Sequence, residues 1–151
     1  MHCWRSVSRS ESVKRRKYVL DSYAVLAYLQ AERGGAKVKD LLKEAKASDV
    51  QILLSVINLG EVLYVIERKL GYETAMNTLK DILRLPIQVA EVPLERVLAA
   101  AHIKAQYAIA YADTFAVALA QELEATIVTA DPEFKRVESL VDILWLLGKD
   151  G

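Results

Sequence analysis

One cysteine, Cys3, excludes an intramolecular disulfide, and with only two histidines there is no Cys/His set for a zinc cluster. Three prolines and six glycines among 151 residues exclude collagen-like and low-complexity sequence. No apolar run approaches the roughly 18 residues that a membrane-spanning helix needs. Net charge is missing as well, since 20 Lys and Arg balance 20 Asp and Glu. What remains is 53% hydrophobic. That is enough for one domain with a sizeable core, expected to be soluble and cytoplasmic.

The zero charge hides an asymmetry. Residues 1–17 hold six basic side chains and one acid, which leaves 14 basic against 19 acidic groups from residue 18 onward, a formal −5. A broad basic surface for nucleic acid is therefore absent, and a polyanionic substrate would need local cations or a bound metal. Residues 1–16 are polar and Arg/Ser-rich without an apolar stretch, and read as a disordered basic extension rather than a secretory leader. The folded domain is expected over residues 17–148.

From Lys17 onward short β-branched runs alternate with longer stretches of helical spacing. The pattern predicts strands at 18–20, 51–55, 87–92, 126–129 and 142–146. Helices are expected over 23–32, 36–47, 56–70, 74–85, 94–107 and 113–123, with a short one over 132–137. Gly34-Gly35, Gly71, Pro86 and Pro93 punctuate them. Five strands separated by helices imply an α/β fold, a doubly wound parallel sheet in three α/β/α layers. Ligands of such sheets bind at the carboxyl ends of the strands.

Polar residues at those ends are mainly acids. Asp21 follows the first strand and Asp131 the fourth, while Ser55 ends the second and leads into the helix carrying Glu61. Asp113 opens a later helix. Singly, Asp21, Asp113 and Asp131 have a structural explanation as helix N-caps. Glu61 lies nearly opposite the apolar arc of its helix, with Arg68 about 20° and Asn58 about 60° away, a narrow polar stripe that suits a cleft. A surface Glu61 paired with Arg68 is the plainer alternative. Taken together, converging carboxylates repel one another unless a cation is present, and hard oxygen donors suit Mg²⁺ or Mn²⁺. Such ions can activate water against a phosphodiester.

Four segments carry a resemblance: YVLDSYAVLAYL (18–29), LLSVINLGEVLYV (53–65), YAIAYADTFAVALA (107–120) and TIVTADPEF (126–134). In this order they resemble PIN-domain ribonucleases, most closely VapC-like toxins of toxin–antitoxin pairs. The resemblance implies a five-stranded parallel sheet in order 3-2-1-4-5 and a metal-dependent endoribonuclease leaving 5′-phosphate and 3′-hydroxyl ends. It also implies Asp21, Glu61, Asp113 and Asp131 as the acids that bind Mg²⁺ or Mn²⁺. Thr129 becomes the hydroxyl that organises the last acid, and Ser22 occupies a frequent small hydroxyl position after the first. Tyr23 is bulkier than the residue usual there. A homodimer, an RNA substrate and a VapB-like antitoxin whose basic tail enters the acidic cleft are implied as partners.

Other residues read more plainly. His102 has no neighbouring nucleophile and is expected to be a packed or half-exposed helix residue. Tyr18, Tyr28, Tyr64, Tyr72, Tyr107 and Tyr111 are scattered and read as core or interface, Trp145 as core. Lys135 and Arg136 suit either RNA phosphates or an exposed helix face. Two rivals to the nuclease are a catalytically inactive interaction domain of the same fold and a Mg²⁺-binding receiver-type module. The receiver lacks its second acid after Asp21 and a suitably placed Lys after the last strand.

Overall fold

Along a strand, successive side chains point to opposite faces, and here both faces are apolar. Five strands form the sheet: β1 (Arg16–Leu20), β2 (Val50–Ser55), β3 (Gln88–Ala90), β4 (Thr126–Thr129) and β5 (Asp142–Trp145). They are all parallel, in the order β3-β2-β1-β4-β5 that the resemblance implied. The helices are α1 (Ser22–Leu29), α2 (Gly35–Lys46), α3 (Val56–Leu70), α4 (Tyr72–Arg84), α5 (Leu94–Gln106) and α6 (Tyr111–Leu123), with a 3-10 helix at Pro132–Val137. This computed structural model describes residues 15–148. The expected extension falls, through residue 14, outside the described residues, and β1 begins at Arg16.

Alternation along the central strands builds two cores. Tyr18, Leu20, Ile52, Leu54 and Val128 face one side, where they meet Val25 of α1, Leu41 of α2, Val62 of α3 and Ile82 of α4. Val19, Leu53 and Ile127 face the other, against Ile103 of α5, Phe115 and Leu119 of α6, and Phe134 of the 3-10 helix. The three expected layers follow directly from this alternation.

Most elements match their sequence pattern to within a few residues. β3 is shorter than expected because its partner stops: Ala90 pairs with Ser55, and Val56 already begins α3. Helix α6 starts at Tyr111 rather than Asp113. The Thr114 hydroxyl donates back to the Tyr111 carbonyl at 2.5 Å, and the Tyr111 ring packs edge-on to Phe115 at 5.0 Å, which adds the earlier residues to the first turn. Gly34 takes a φ of +89°, and a Cβ on Gly35 would lie 2.6 Å from the Ala27 carbonyl oxygen, so the α1–α2 corner requires this pair. Among the described residues, no helix is long and apolar enough to cross a membrane.

Away from the strand ends, His102 is exposed and hydrogen-bonded to Gln106, more open than its sequence setting suggests. Trp145 is half-buried rather than fully core. A buried cation that the sequence does not advertise is Arg96. Its guanidinium forks onto the Glu122 carboxylate at 3.0–3.2 Å and reaches the Glu91 carbonyl, which ties α5 to α6.

Candidate active site

Parallel strands bring all their carboxyl ends to one edge, so residues that immediately follow them are neighbours in space whatever their separation in sequence. Asp21 is the first. Its N–H extends the ladder to the Val128 carbonyl at 3.3 Å. Its Oδ1 accepts from the Ala24 N–H at 2.8 Å, which caps α1, and its Oδ2 accepts from the Thr129 hydroxyl at 2.5 Å. Asp21 is thus an N-cap that also faces the other acids. Burial pushes its carboxyl up to about 7, against the lowering effect of the Thr129 and Ala24 hydrogen bonds, and the Asp131 and Glu61 charges add to the rise.

Asp113 is not a cap. The N-cap of α6 is Ala110, which offers no side-chain oxygen, and Asp113 lies buried in the first helical turn. Burial pushes its carboxyl up to about 8, reinforced by the charges of Asp21, Glu61, Asp131 and Glu133 in that order. Four acids from three separate segments therefore act on one buried carboxyl.

Asp131 caps the 3-10 helix by accepting from the Glu133 N–H at 2.9 Å, and its own N–H donates to the Thr129 hydroxyl at 3.0 Å. The fully buried Phe134 anchors this turn, and truncating such a side chain to Ala costs about 3–5 kcal/mol. Glu61, half-buried on α3, accepts from the Ser22 hydroxyl at 2.6 Å. Arg68, one of its expected companions, is exposed and two helical turns away, about 10 Å along the axis. The ion pairs among the described residues are Arg16–Glu44 and Arg96–Glu122, so the surface-pair alternative for Glu61 is not realised.

Asn58, one turn before Glu61, is fully buried and donates to the Ala112 carbonyl at 3.3 Å, which joins α3 to the turn that carries Asp113. Its Oδ1 has no partner, the one buried side-chain polar atom in that state among the described residues.

One acid escapes the sequence reading. Asp113, Asp131 and Glu133 each offer a carboxylate oxygen within 4.8 Å of the others. Asp21 and Glu61 surround this trio electrostatically but are not in it. The signal for Glu133 was its place two residues after a helix-capping Asp: the cap bends the chain so that the next acid returns toward the same edge. All the donors are hard carboxylate oxygens, with no His or Cys among them, and this fits Mg²⁺ or Mn²⁺ better than zinc or copper. Carboxyls raised by burial and by each other are also those whose protons a divalent cation displaces.

The chain matches the PIN domain family over residues 18–140. Among solved structures it is similar to a DNA-bound VapBC from Salmonella typhimurium, with 17% identity, 87% of this chain and 99% of that chain covered, and a TM-score of 0.69. VapBC2 from Rickettsia felis, bound to a promoter DNA fragment, gives 20% identity, 85% and 97% coverage and a TM-score of 0.66. VapC20 from Mycobacterium tuberculosis, a sarcin-ricin loop cleaving toxin, gives 17% identity, 80% and 94% coverage and a TM-score of 0.63. No curated protein matches.

Proposed function

The chain belongs to the PIN-domain family, and from that premise we propose that it is a Mg²⁺- or Mn²⁺-dependent endoribonuclease, the toxin of a VapBC-type toxin–antitoxin pair. The observation that carries the reading is the convergence of Asp113, Asp131 and Glu133, which each offer a carboxylate oxygen within 4.8 Å of the others, at a place where burial and the nearby charges of Asp21 and Glu61 also push the Asp113 carboxyl up. Acids far apart in sequence and so strongly opposed are costly to assemble without a cation.

Asp113 and Asp131, with Glu133, would hold the ion, and Asp21 and Glu61 would complete the acidic ring around it. When bound, a divalent cation supplies Lewis-acid stabilisation of charge on the phosphoryl oxygens and makes water a stronger nucleophile. The protein's own part is orientation. Thr129 holds Asp21 by its Oδ2 and Asp131 by its N–H; Ser22 holds Glu61. Asn58 keeps the Asp113 turn against α3. Positioned carboxylates of this kind can accept the proton that the attacking water loses, and the products would carry 5′-phosphate and 3′-hydroxyl ends.

The sarcin-ricin loop cleaving activity of the Mycobacterium tuberculosis protein supports RNA as the substrate class. VapBC complexes among the similar structures support a VapB-like antitoxin, whose Arg side chains would bridge the carboxylates bidentately. A homodimer within the cytoplasm completes the proposal. Purified protein is expected to cleave a susceptible RNA in Mn²⁺ or Mg²⁺ and to stop in EDTA. Asp21→Asn should lose at least about 100-fold, the equivalent of some 3 kcal/mol of transition-state stabilisation. Cleavage that persists in EDTA overturns the reading, and RNA binding without cleavage in either metal would favour the inactive interaction domain.

A further inference from the structure

An acidic protein that handles RNA needs cations placed at its site, and two, on different elements, are tied to the short loop that leads to Asp113. Lys104, in the last turn of α5, donates from Nζ to the Ile109 carbonyl at 2.7 Å. Arg136, in the 3-10 helix, donates from its guanidinium to the Ala108 carbonyl at 2.5 Å. These carbonyls are consecutive, in the short loop that ends at Ala110 and delivers Asp113 in the first turn of α6. Arg136 is also three residues after Glu133, and side chains three apart eclipse one another in a 3-10 helix. The guanidinium is therefore one turn from a member of the trio along its own element and one short loop from Asp113 along the other.

Their chemistry is unspent. A carbonyl uses one of three N–H donors on Lys and one of five on Arg, and neutralises neither charge. Neither residue has a carboxylate within ion-pair distance among the described residues. Both are exposed, so the remaining donors are open to an incoming ligand. Holding long cationic side chains on backbone carbonyls fixes their heads in advance, which lowers the ordering cost of a later contact.

We propose that Lys104 and Arg136 form a phosphate clamp that grips the RNA backbone at the loop leading to Asp113. The inference rests on the nuclease reading and adds to it the residues that seat the substrate strand.

Binding of a short fluorescein-labelled single-stranded RNA of mixed sequence, followed by anisotropy in EDTA from about 50 to 200 mM KCl, tests the clamp. Each phosphate contact on a single strand contributes about 0.7 to the slope of log affinity against log salt. Lys104→Gln and Arg136→Gln should each reduce the slope by about 0.7, and the double variant by about 1.4. Arg136→Lys should keep it. Lys46→Gln, where α2 leads to the opposite edge of the sheet, should leave it unchanged.

If the two side chains merely brace the loop, the Gln variants will keep the wild-type slope and lose affinity for Mn²⁺ alone, measured by calorimetry, and the clamp is overturned. RNA hydrolysis by wild type in Mn²⁺ is followed separately. Cleavage with unaltered slopes rejects the clamp and spares the nuclease, whereas reduced slopes without cleavage reject the nuclease and spare the clamp.

Discussion

Thr129 and Asp21, 108 residues apart, share a hydrogen bond in which the Thr129 hydroxyl donates to Asp21 Oδ2, while the oxygen of that hydroxyl accepts from the Asp131 N–H at 3.0 Å. A single side chain at the end of β4 thus sets the spacing of two strand-end acids.

Thr129→Val keeps the shape of the side chain and removes both bonds. A buried donor and acceptor left unpaired cost about 1–3 kcal/mol, a loss to be read by urea denaturation in EDTA. The bond from Thr129 lowers the Asp21 carboxyl, so its removal should lift Asp21 further above about 7 and move the pH profile of Mn²⁺ binding upward. Thr129→Ser should restore both. An unmoved pH profile in the Val variant would show that the hydroxyl serves packing alone.

Asp21 and Asp113 make metal-free stability depend on pH in an uncommon direction. Their carboxyls lie near 7 and 8 in the folded chain against 3.8 ordinarily. Through that window the folded protein holds protons that the unfolded chain has released, so stability should fall as pH rises from about 4 to 8. Below the ordinary carboxylate range the effect disappears. Mn²⁺ should reverse the fall, most strongly at the alkaline end. Thermal melts in EDTA and in Mn²⁺ across this range check the sign, and a metal-free melting temperature that climbs toward pH 8 would contradict it.

Asp113→Asn separates repulsion from structural support. It removes the most strongly opposed charge and, since Asp113 caps nothing, loses no cap bond. At pH 8 in EDTA the variant should gain on the order of 1 kcal/mol, about 2–4 °C for a domain of this size. A lower melting temperature than wild type would assign Asp113 a supporting role that its position does not suggest.

Much of this was legible before any coordinates. Alternating apolar strands and periodic helices dictate the three layers, because β1, β2 and β4 have no polar face to turn to water. Asp21 and Asp131 were readable as residues that follow strands. Glu61 stood out as a polar residue on a largely apolar helix. What stayed hidden depends on tertiary closure. Asp113 looked like a helix cap because nothing local reveals that Thr114 and Phe115 draw Tyr111 into the first turn. Glu133 drew no reading from the sequence, because its place with Asp113 and Asp131 depends on the turn that the Asp131 cap sets. The Arg96–Glu122 fork likewise joins positions 26 apart with no periodic signal.

Ser22 is the only hydroxyl that the hydrogen-bond pattern places on Glu61 among the described residues, at 2.6 Å. Ser22→Ala should leave Glu61 free to rotate into solvent. Groups that orient a metal-binding residue typically contribute 10–100-fold in affinity or activity. A loss of roughly 10-fold in Mn²⁺ affinity is expected, with a stability change of about 1 kcal/mol. Comparable losses in Ser22→Ala and Glu61→Gln would place the two residues in series, whereas a silent Ser22→Ala would remove the serine from the site.

The compact trio makes a sharper demand on Glu133. If oxygens of Asp113, Asp131 and Glu133 within 4.8 Å of one another are the innermost donors, Glu133→Gln should weaken Mn²⁺ binding more than Glu61→Gln does. Both variants keep the side-chain shape, and Glu133 is exposed, so its stability in EDTA should stay within about 0.5 kcal/mol of wild type. Calorimetric titration of each variant with Mn²⁺ gives the order directly. The reverse order, with Glu61→Gln the more damaging, would mean that the ion lies deeper, toward Asp21 and α3, and that Glu133 faces the substrate side instead.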